Sequence, residues 1–333
     1  MRRRPIRKWS LLALALFISF VYVNNTNLWQ TPAAAPLLLA HRGLGQDFTR
    51  EGLTGETCTA TRILSPEHNF LEDTIPAMEA AFAYGAAIVE FDIHPTIDGH
   101  FAVFHDWTLD CRTNGAGVTR EQTLAYLKTL DVGYGYTADG GKSFPFRGQG
   151  VGLIATLDEV LTAFPDRHLL INIKSNDPHE GELLAATLAQ LPLARQQQLM
   201  VYGAELPIAV VRTQVPAVRT MSGASLKGCL LRYWAFGWSG YRPARCTNML
   251  LLIPTNVAPW LWGWPHRFVQ RMASLNTDVF LVDDYAGGSF SEGINSLGDL
   301  EKVPPAYTGG VWTDRIDIIG PALVNPQAAD AIP

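Results

Sequence analysis

The sequence predicts an α/β protein built as a (β/α)8 TIM-type barrel, with an N-terminal membrane anchor helix and a Trp-rich insertion. Short apolar runs alternate several times with helical patterns over short connections, which is typical of a parallel sheet. The chain has 333 residues, 47% of them hydrophobic, enough for one barrel of about 250 residues with additions or for two ordinary domains. It contains no Gly-rich dinucleotide fingerprint and no GK[ST] phosphate loop, which disfavours an open doubly wound sheet.

The N-terminal part divides into a basic segment (1–8), an apolar segment (9–23) and a polar linker (24–36), before the predicted barrel domain (37–325). The basic segment holds five Lys and Arg, and no Asp or Glu precedes residue 37. An apolar run of this length lies between a signal-peptide core and a membrane-spanning helix. We expect an uncleaved signal anchor with the basic segment in the cytoplasm and the barrel exported, while secretion after cleavage is the alternative.

The body of the protein is acidic although the whole chain has a formal net charge of only −5. Residues 37–333 contain 21 Lys and Arg and 31 Asp and Glu. This balance excludes a nonspecific nucleic-acid binder, which needs a basic surface. It does not exclude a phosphorylated substrate, because a bound divalent cation reverses the local field. The sequence leaves the oligomeric state undetermined.

The first half of the predicted barrel begins with a short strand, "LLLA" (37–40), that ends directly on "HRG". A helix is predicted over 74–85, because its apolar spacing is helical, an Asp that can cap it precedes it and a Gly ends it. Two strands, 87–94 and 101–106, flank an Asp-Gly turn and predict a hairpin.

The following elements continue the alternation. Helices are predicted over 119–130 and 155–164, each with a Thr before a Glu near its start. A strand (168–174), a helix (180–191) and another strand (198–204) come next. Together they predict further β/α units of the same barrel.

Four cysteines suit an oxidising compartment, and their spacing matches no zinc pattern. We expect disulfides between Cys58 and Cys111 and between Cys229 and Cys246, with four free buried thiols as the alternative. The loop 44–70 is long, and it is either a lid held by Cys58 or a plain insertion.

The Trp-rich segment (231–268) holds five of the nine Trp together with several Tyr and Pro. One interpretation is a loop-rich cap packed on the barrel. The other is a membrane-facing or lipid-binding surface centred on 233–264, because Trp and Tyr favour the bilayer interface.

Polar residues gather at the ends of the predicted strands, where barrel enzymes place their sites. They are His41 and Arg42, Glu90 and Asp92, His105, and Asn172 and Lys174. Alternate residues of a strand share a face, so Glu90 and Asp92 point the same way and can hold one hard cation such as Ca²⁺ or Mg²⁺. His94 is interpreted either as structural or as a residue on the substrate side of the site.

Six motifs occur in order between residues 40 and 175: "AHRG" (40–43), "LEDTIPAMEAAFAYGA" (71–86), "VEFDIHPTIDGHFAVFHD" (89–106), "LDCRTNGAGVT" (109–119), "LDVG" (130–133) and "INIKS" (171–175). With "GGVWTDRID" (309–317), this set resembles the glycerophosphodiester phosphodiesterase family. The resemblance is dense from 38 to about 175, thin from 176 to 305, and returns at 309–321.

The resemblance implies a role for each matching position. It implies that His41 and His105 are the acid–base pair, that Glu90 and Asp92 bind a metal, that Arg42 and Lys174 hold the phosphate, and that Glu72 supports the site. The family has Glu at the first position of its E-x-K motif, where this chain has Asn172. An Asn carbonyl can still bind Ca²⁺ or Mg²⁺, but without the charge.

The function implied is metal-dependent hydrolysis of a phosphodiester, most simply a glycerophosphodiester or a lysophospholipid, to an alcohol and a phosphomonoester. Two alternatives stay open. One is a phospholipase-D-like lyase that forms a cyclic phosphate, and the other is a catalytically weakened, phosphodiester-binding barrel that Asn172 would explain. The expected partners are the substrate and a membrane, contacted through residues 9–23 and the Trp-rich segment.

Overall fold

The computed structural model describes residues 4–28, 35–54, 57–287 and 292–324. Within these ranges the strands are β1 (Leu37–Ala40), β2 (Ile88–Pro95), β3 (Phe101–Val103), β4 (His168–Ile173), β5 (Leu199–Gly203), β6 (Arg219–Ser222), β7 (Leu250–Pro254), β8 (Asp278–Val282) and β9 (Gly310–Thr313). The helices are α1 (Arg4–Asn25), α2 (Ile75–Ala83), α3 (Leu124–Leu127), α4 (Leu157–Ala163), α5 (Pro178–Ala189), α6 (Leu193–Gln196), α7 (Glu205–Gln214), α8 (Gly223–Phe236), α9 (His266–Ala273), α10 (Leu297–Leu300) and α11 (Ile316–Val324). Residues 1–3, part of the predicted linker (29–34) and residue 325 lie outside the described residues.

Eight parallel strands form a nearly closed barrel, as the alternation of strands and helices predicts. They follow one another in the order β6-β5-β4-β2-β1-β9-β8-β7. In the described part of the chain, β6 and β7 meet through one isolated parallel bridge, between Thr220 and Met249. The carboxyl ends of the eight strands therefore face the same end of the barrel, where TIM-type folds carry their sites.

One apolar side chain from each of these strands fills the barrel interior. They are Leu39, Ile88, Leu170, Met200, Met221, Leu250, Phe280 and Trp312. Residues one position along, such as Val89 and Phe91 on β2, pack outward in a second cluster with the surrounding helices. Because the side-chain period of a strand is two, the residues two positions after the interior layer stay inside and lie nearer the strand ends.

β3 is not a barrel strand but the second arm of the predicted hairpin. It pairs antiparallel with β2, with Ile93 opposite Val103 and Pro95 opposite Phe101. The strand is shorter than the predicted 101–106. The backbone N–H of Phe104 then donates to the Asp92 carbonyl, which returns the chain to the barrel mouth just before His105.

Two helix predictions need correction. The cap of α2 is Thr74, whose hydroxyl accepts from the Ala77 N–H, rather than Asp73, whose carboxylate accepts from the backbone N–H of Asp92. The helix predicted over 119–130 is instead a 3-10 turn (Thr119–Glu121) followed by the single turn α3. The break occurs because Thr123 is extended and caps α3, so its capping preference outweighs the helical pattern.

Both expected disulfides are present, Cys58–Cys111 and Cys229–Cys246. The first ties the long loop 44–70 to the segment after β3. The second lies in an apolar cluster with Tyr233 and Phe268, and it joins α8 to the middle of the Trp-rich segment. That segment contains the end of α8, all of β7 and the start of α9, so much of it belongs to the barrel itself.

α1 is an exposed apolar helix, and residues 8–25 are long and apolar enough to cross a membrane. Such a helix near the N-terminus is a candidate anchor or a signal sequence. Its last turn contacts the Trp-rich segment, since Asn24 and Asn25 both donate to the Trp238 carbonyl.

Candidate active site

A pocket of about 820 Å³ opens at the carboxyl ends of the barrel strands. Five of the residues predicted from the strand ends line it: His41, Arg42, His105, Asn172 and Lys174. Glu72, predicted to support the site, lines it too. Glu90 and Asp92 lie directly beneath these side chains and are fully buried.

β2 carries the two carboxylates on its inward face, two and four residues after the interior Ile88. Strand pairing sets Asp92 beside Asn172, and Asn172 beside Tyr202. The Asn172 amide donates to Oδ1 of Asp92 at 2.7 Å, and the Tyr202 hydroxyl donates to Oε1 of Glu90 at 2.7 Å. Tyr202 was not among the predicted site residues, although it is in phase with the interior Met200.

The two buried carboxylates oppose each other's ionisation. Burial and the Asp92 charge raise the pKa of Glu90 to about 7, against the opposing effects of His41 and Arg42. Burial would also raise the pKa of Asp92, but Lys174 and Arg42 outweigh it and hold that pKa well below its usual range. The pair therefore has one carboxylate that stays ionised and one that ionises fully only when more positive charge arrives.

Arg42 turns its side chain into the site from a left-handed backbone conformation, with φ of 56°. Its Nη1 lies 2.9 Å from Oε1 of Glu72, its Nε 3.0 Å from Oδ2 of Asp92, and its backbone N–H donates to Oε2 of Glu90. The next residue, Gly43, has φ of 75° and passes so close to the α2 backbone that a Cβ would lie 2.8 Å from the Ala77 carbonyl carbon. The "HRG" motif is thus a tight turn that only Gly allows.

Lys174 follows β4, two residues after Asn172, and its Nζ lies 3.3 Å from Oδ1 of Asp92. Lys174 also lines the pocket, and among the described residues no carboxylate other than that of Asp92 lies within ion-pair distance of it. Lys174 and Arg42 therefore place two cations over the buried pair, where an anionic group entering the pocket would meet them.

His41 is held by a carboxylate that comes from the other end of the chain. Its Nδ1 lies 2.5 Å from Oδ1 of Asp314, which follows β9, and its Nε2 lies 3.8 Å from Oε2 of Glu90. Asn295 donates to the second oxygen of Asp314. Burial and Arg42 lower the pKa of His41, but Glu90 and Asp314 raise it more, so the net pKa lies above its ordinary value. Asp314 lies in "WTDRID", yet its role was not predicted.

His105 has a carboxylate partner of its own. Its Nδ1 lies 2.7 Å from Oδ1 of the adjacent Asp106, and Oδ2 of Asp106 accepts from Nε of Arg112 at 2.9 Å. Burial and the Arg42 charge lower the pKa of His105 to about 4, against the opposing effects of Asp92 and Asp106. A carboxylate on Nδ1 fixes the ring so that Nε2 is left to exchange a proton.

Arg112 is the main site residue that the sequence interpretation missed. Its side chain is almost fully buried. It forms ion pairs both with Asp106, the partner of His105, and, at 3.0 Å, with Oε2 of Glu72, the partner of Arg42. It also donates to the hydroxyls of Tyr136 and Thr59, both at 2.6 Å. Only its place in "LDCRTNG", beside the bonded Cys111, could have indicated it.

Glu72 has no oxygen free for a metal. One oxygen faces Arg42 and the other faces Arg112. Burial raises the pKa of Glu72, but the two guanidinium groups outweigh it and the net pKa lies below the ordinary value. Glu72 therefore bridges two arginines, Arg42 and Arg112.

The residues at the mouth fit a hard divalent cation with two charged ligands. Oδ2 of Asp92 is buried and makes no hydrogen bond, although it lies 3.0 Å from Nε of Arg42, and the raised pKa of Glu90 marks an excess of negative charge there. The Asn172 amide can rotate to present its oxygen to the same point. No group of three or more His, Cys, Asp or Glu that could hold a metal occurs in the described ranges.

A family model for the glycerophosphoryl diester phosphodiesterase family matches residues 41–196. A glycerophosphodiester phosphodiesterase of Caldanaerobacter subterraneus is 40% identical over 106 residues, 32% of this chain and 40% of that protein. A glycerophosphodiester phosphodiesterase of Bacillus subtilis is 36% identical over 145 residues, 40% of this chain and 48% of that protein. The matches thus span less than half the length of these relatives.

Solved structures show the same fold over more of the chain. A glycerophosphoryl diester phosphodiesterase domain of an uncharacterised Mycobacterium tuberculosis protein superimposes with a TM-score of 0.60 at 16% identity, covering 86% of this chain and 98% of that one. An Agrobacterium tumefaciens glycerophosphodiester phosphodiesterase gives a TM-score of 0.53 at 18% identity, covering 86% and 99%. At such identities the likeness establishes the TIM-type barrel and nothing finer.

Proposed function

Because residues 41–196 of this chain belong to the glycerophosphodiester phosphodiesterase family, we propose that the protein hydrolyses a phosphodiester in the pocket at the barrel mouth. One observation carries the proposal. Two histidines, each bonded through Nδ1 to its own carboxylate, line the same pocket as Arg42 and Lys174, above two buried carboxylates.

The cationic side chains bind and orient the substrate in this proposal. A phosphodiester is an anion that repels nucleophiles, so positive groups must face its oxygens as charge develops there. Arg42 and Lys174 are placed for this task, and the Glu72 bridge holds the Arg42 guanidinium in position. Arg offers a planar fork of donors, while Lys supplies a compact charge.

His41 and His105 move the protons. One imidazole Nε2 takes a proton from the attacking water, and the other gives a proton to the leaving alkoxide, each typically worth 10²–10⁴-fold. Asp314 and Asp106 keep the Nδ1 protons in place, so both Nε2 atoms stay available. The two products are an alcohol and a phosphomonoester.

We propose that Glu90, Asp92 and Asn172 hold Ca²⁺ or Mg²⁺. When bound, the cation would neutralise negative charge on the phosphoryl oxygens. Because Asn172 brings no charge, the site has one negative ligand fewer than the family pattern. This is the observation that favours the second candidate, a weakened barrel that binds phosphodiesters without consuming them.

The pocket favours a substrate that has an apolar part. Its wall beyond the polar cluster includes Met221, Leu226, Leu252, Pro254 and Val282. At about 820 Å³ the pocket lies in the range of about 300–1,000 Å³ that is typical of sites for drug-sized ligands, so it has room for more than a glycerol phosphodiester alone. We therefore propose a lysophospholipid as the larger substrate and a glycerophosphodiester as the smaller one.

We propose that α1 keeps this reaction at a membrane. We propose that residues 9–23 span the bilayer, that the basic segment 1–8 stays in the cytoplasm and that the barrel lies outside it. The contacts between the end of α1 and the barrel support retention of the helix over its removal.

The test uses the full chain in detergent micelles. Hydrolysis of glycerophosphocholine and lysophosphatidylcholine is followed by ³¹P NMR with Ca²⁺, Mg²⁺ or a chelator. We expect cation-dependent turnover that falls by about 10²–10⁴-fold in His41→Ala and His105→Ala, and stays unchanged in His100→Ala, an exposed histidine of the hairpin turn.

The products separate the alternatives. A phosphomonoester product supports hydrolysis. A cyclic phosphate product would show that the protein is a lyase instead. Binding of the substrate without any product, under every cation, would show that it is the phosphodiester-binding barrel.

A further inference from the structure

We propose that one face of the barrel docks onto an anionic lipid bilayer, in addition to the membrane insertion of α1 on which this inference rests. The docking face consists of the exposed apolar residues Leu231, Trp234, Phe236, Tyr241 and Trp260 and the exposed cations Arg232, Arg242 and Arg245.

The docking face exposes several large apolar side chains. Leu231 and Trp234 lie three residues apart on α8, so they share one side of the helix, and they are 67% and 61% exposed. The indole N–H of Trp262 donates to the Trp234 carbonyl at 2.8 Å, which brings Trp260, 76% exposed, beside α8. Several large aromatic side chains exposed together mark an interaction surface.

Charge is segregated onto this part of the chain. Residues 206–277 contain eight Lys and Arg and no Asp or Glu. The rest of the body, 37–205 and 278–333, holds all 31 Asp and Glu but only 13 Lys and Arg, since five of the 26 precede residue 37. The body of the protein, from residue 37 on, is thus acidic except in the stretch that contains the docking face, which favours an anionic partner.

The cations of the docking face have no acidic partner among the described residues. Arg232 and Arg245 make no ion pair there, and Arg242 donates only to the hydroxyl of Ser274. Their guanidinium groups are therefore free to meet phosphate groups, which Arg binds through its fork of donors.

The position of α1 identifies the partner as a bilayer. The docking face adjoins the end of α1: Asn24 and Asn25 donate to the carbonyl of Trp238, and the Phe17 ring lies 5.3 Å from the Trp238 ring. Phe17 lies about 12 Å before the end of the helix at 1.5 Å per residue. Trp238 therefore reaches along the helix into the interfacial layer, where Trp is favoured.

A buried arginine fixes this arrangement. Arg271 donates to the Asn24 carbonyl, to the Asn25 side chain and to the Tyr233 hydroxyl. It neutralises the carboxyl end of α1 and joins it to the body. The docking face consequently cannot turn far from the bilayer that α1 enters.

The same helix connects the docking face to the proposed active site. Gly223 and Leu226 in the first turn of α8 line the pocket, while Trp234 lies in its last turn. The helix is about 21 Å long at 1.5 Å per residue. Docking would therefore hold the pocket within that distance of the lipid surface, from which a lysophospholipid would come.

The experiment measures docking without using catalysis. The full chain is reconstituted into vesicles of phosphatidylcholine, or of phosphatidylcholine with about a third replaced by phosphatidylglycerol. Acyl-brominated phosphatidylcholine in both vesicles quenches Trp side chains that enter the interface. We expect stronger quenching in the anionic vesicles, and we expect Trp234→Phe with Trp260→Phe to remove that increase.

Charge variants provide the matched comparison. The first triple variant carries Arg232→Gln, Arg242→Gln and Arg245→Gln. Each Arg near an anionic surface changes the binding equilibrium by about tenfold or less, so the ratio of docked to undocked barrel should fall on the order of 100-fold. The extra quenching in anionic vesicles should then disappear. Lys142→Gln, Arg147→Gln, Arg167→Gln removes three exposed cations elsewhere and should keep it. Equal quenching in both vesicles, or an equal loss in both triple variants, would overturn the inference.

Hydrolysis of soluble glycerophosphocholine in micelles is measured on the same samples, because neither triple variant touches the pocket. If the native chain fails this assay, the proposed function fails, and the quenching result still decides whether the face docks. If hydrolysis is normal and the anionic increase is missing, only the docking inference fails.

Discussion

At the scale of single residues, the site continues the interior of the barrel. Five of the eight inward apolar residues are followed two positions later by a polar one: Leu39 by His41, Ile88 by Glu90, Leu170 by Asn172, Met200 by Tyr202 and Trp312 by Asp314. Buried polar groups are costly unless they are paired, and here they pair with one another around the barrel. The residue types in this polar layer therefore determine both the stability of the barrel mouth and its chemistry.

The bond between Asp314 and His41 predicts a turnover defect in Asp314→Asn. An Asn leaves the imidazole in place but no longer fixes the Nδ1 proton, so Nε2 spends less time in the productive form. We expect kcat to fall by about 10²–10³-fold with little change in KM, measured with glycerophosphocholine and saturating cation. Asp158→Asn, which removes an exposed carboxylate of α4, is the control. A loss of less than about fivefold would mean that Asp314 has only a structural role.

Asn172 leads to a prediction about cation affinity. Asn172→Glu adds a third carboxylate beside Asp92, so we expect Ca²⁺ or Mg²⁺ to bind at least about tenfold more tightly in isothermal titration calorimetry. Without a cation the same variant should melt at a lower temperature, because three carboxylates then repel one another. Gln190→Glu, exposed at the end of α5, should change neither quantity. Unchanged affinity in Asn172→Glu would show that this position does not bind the metal.

At the scale of elements, two connections bring the second histidine to the site. The β2–β3 hairpin reverses the chain so that His105 returns to the level of Asp92. The Cys58–Cys111 disulfide then ties loop 44–70 to the segment that carries Arg112, whose guanidinium holds Asp106. The prediction of a lid held by Cys58 is thus compatible with a disulfide that also helps to position Arg112 and Asp106.

The two disulfides should therefore differ in their effect on catalysis. The Cys58–Cys111 bridge closes a loop of 53 residues, and its removal by Cys58→Ser with Cys111→Ser should cost about 4 kcal/mol of unfolding free energy. Removal of Cys229–Cys246, with a separation of 17, should cost about 3 kcal/mol. Thermal unfolding measures both.

Turnover at a temperature where both variants remain folded makes the distinction. Only loss of the Cys58–Cys111 bridge should lower kcat, because only that bridge adjoins Arg112. If both variants lose kcat equally, the bridge contributes stability alone. If neither does, the packing around Arg112 is sufficient to hold Asp106.

At the scale of the whole molecule, the chain combines a membrane-type helix, an acidic barrel and a segment without acidic residues. The contacts of Arg271 with Asn24 and Asn25 make α1 part of the folded body. Removal of α1 would leave this buried guanidinium without those partners, which is costly.

This arrangement predicts that the chain stays in the membrane at full length. After expression and an alkaline carbonate wash, we expect the membrane fraction to retain a chain of 36.6 kDa by intact mass. A chain lacking residues 1–25 should be released by the same wash. Recovery of a soluble, shortened form from the full-length gene would establish a cleaved signal sequence instead.

The sequence by itself determined the alternation that builds the barrel, the phase of Glu90 with Asp92 and the positions of both histidines. These features depend on the two-residue period of strands and on short motifs, which are local. Helix boundaries were less well predicted, as at 119–130, because the capping preference of Thr123 competed with the helical pattern.

Only the tertiary structure decided the partners. His41 and Asp314 are 273 residues apart, and Tyr202 meets Glu90 across 112 residues, so neither pair exists until the barrel closes. Arg112 gains its role only when the hairpin, loop 44–70 and α2 surround it. The end of α1 likewise meets Arg271 from 246 residues away in sequence. Sequence pattern thus specifies which residues face inward, while barrel closure specifies which charges stand against each other and therefore which protons can move.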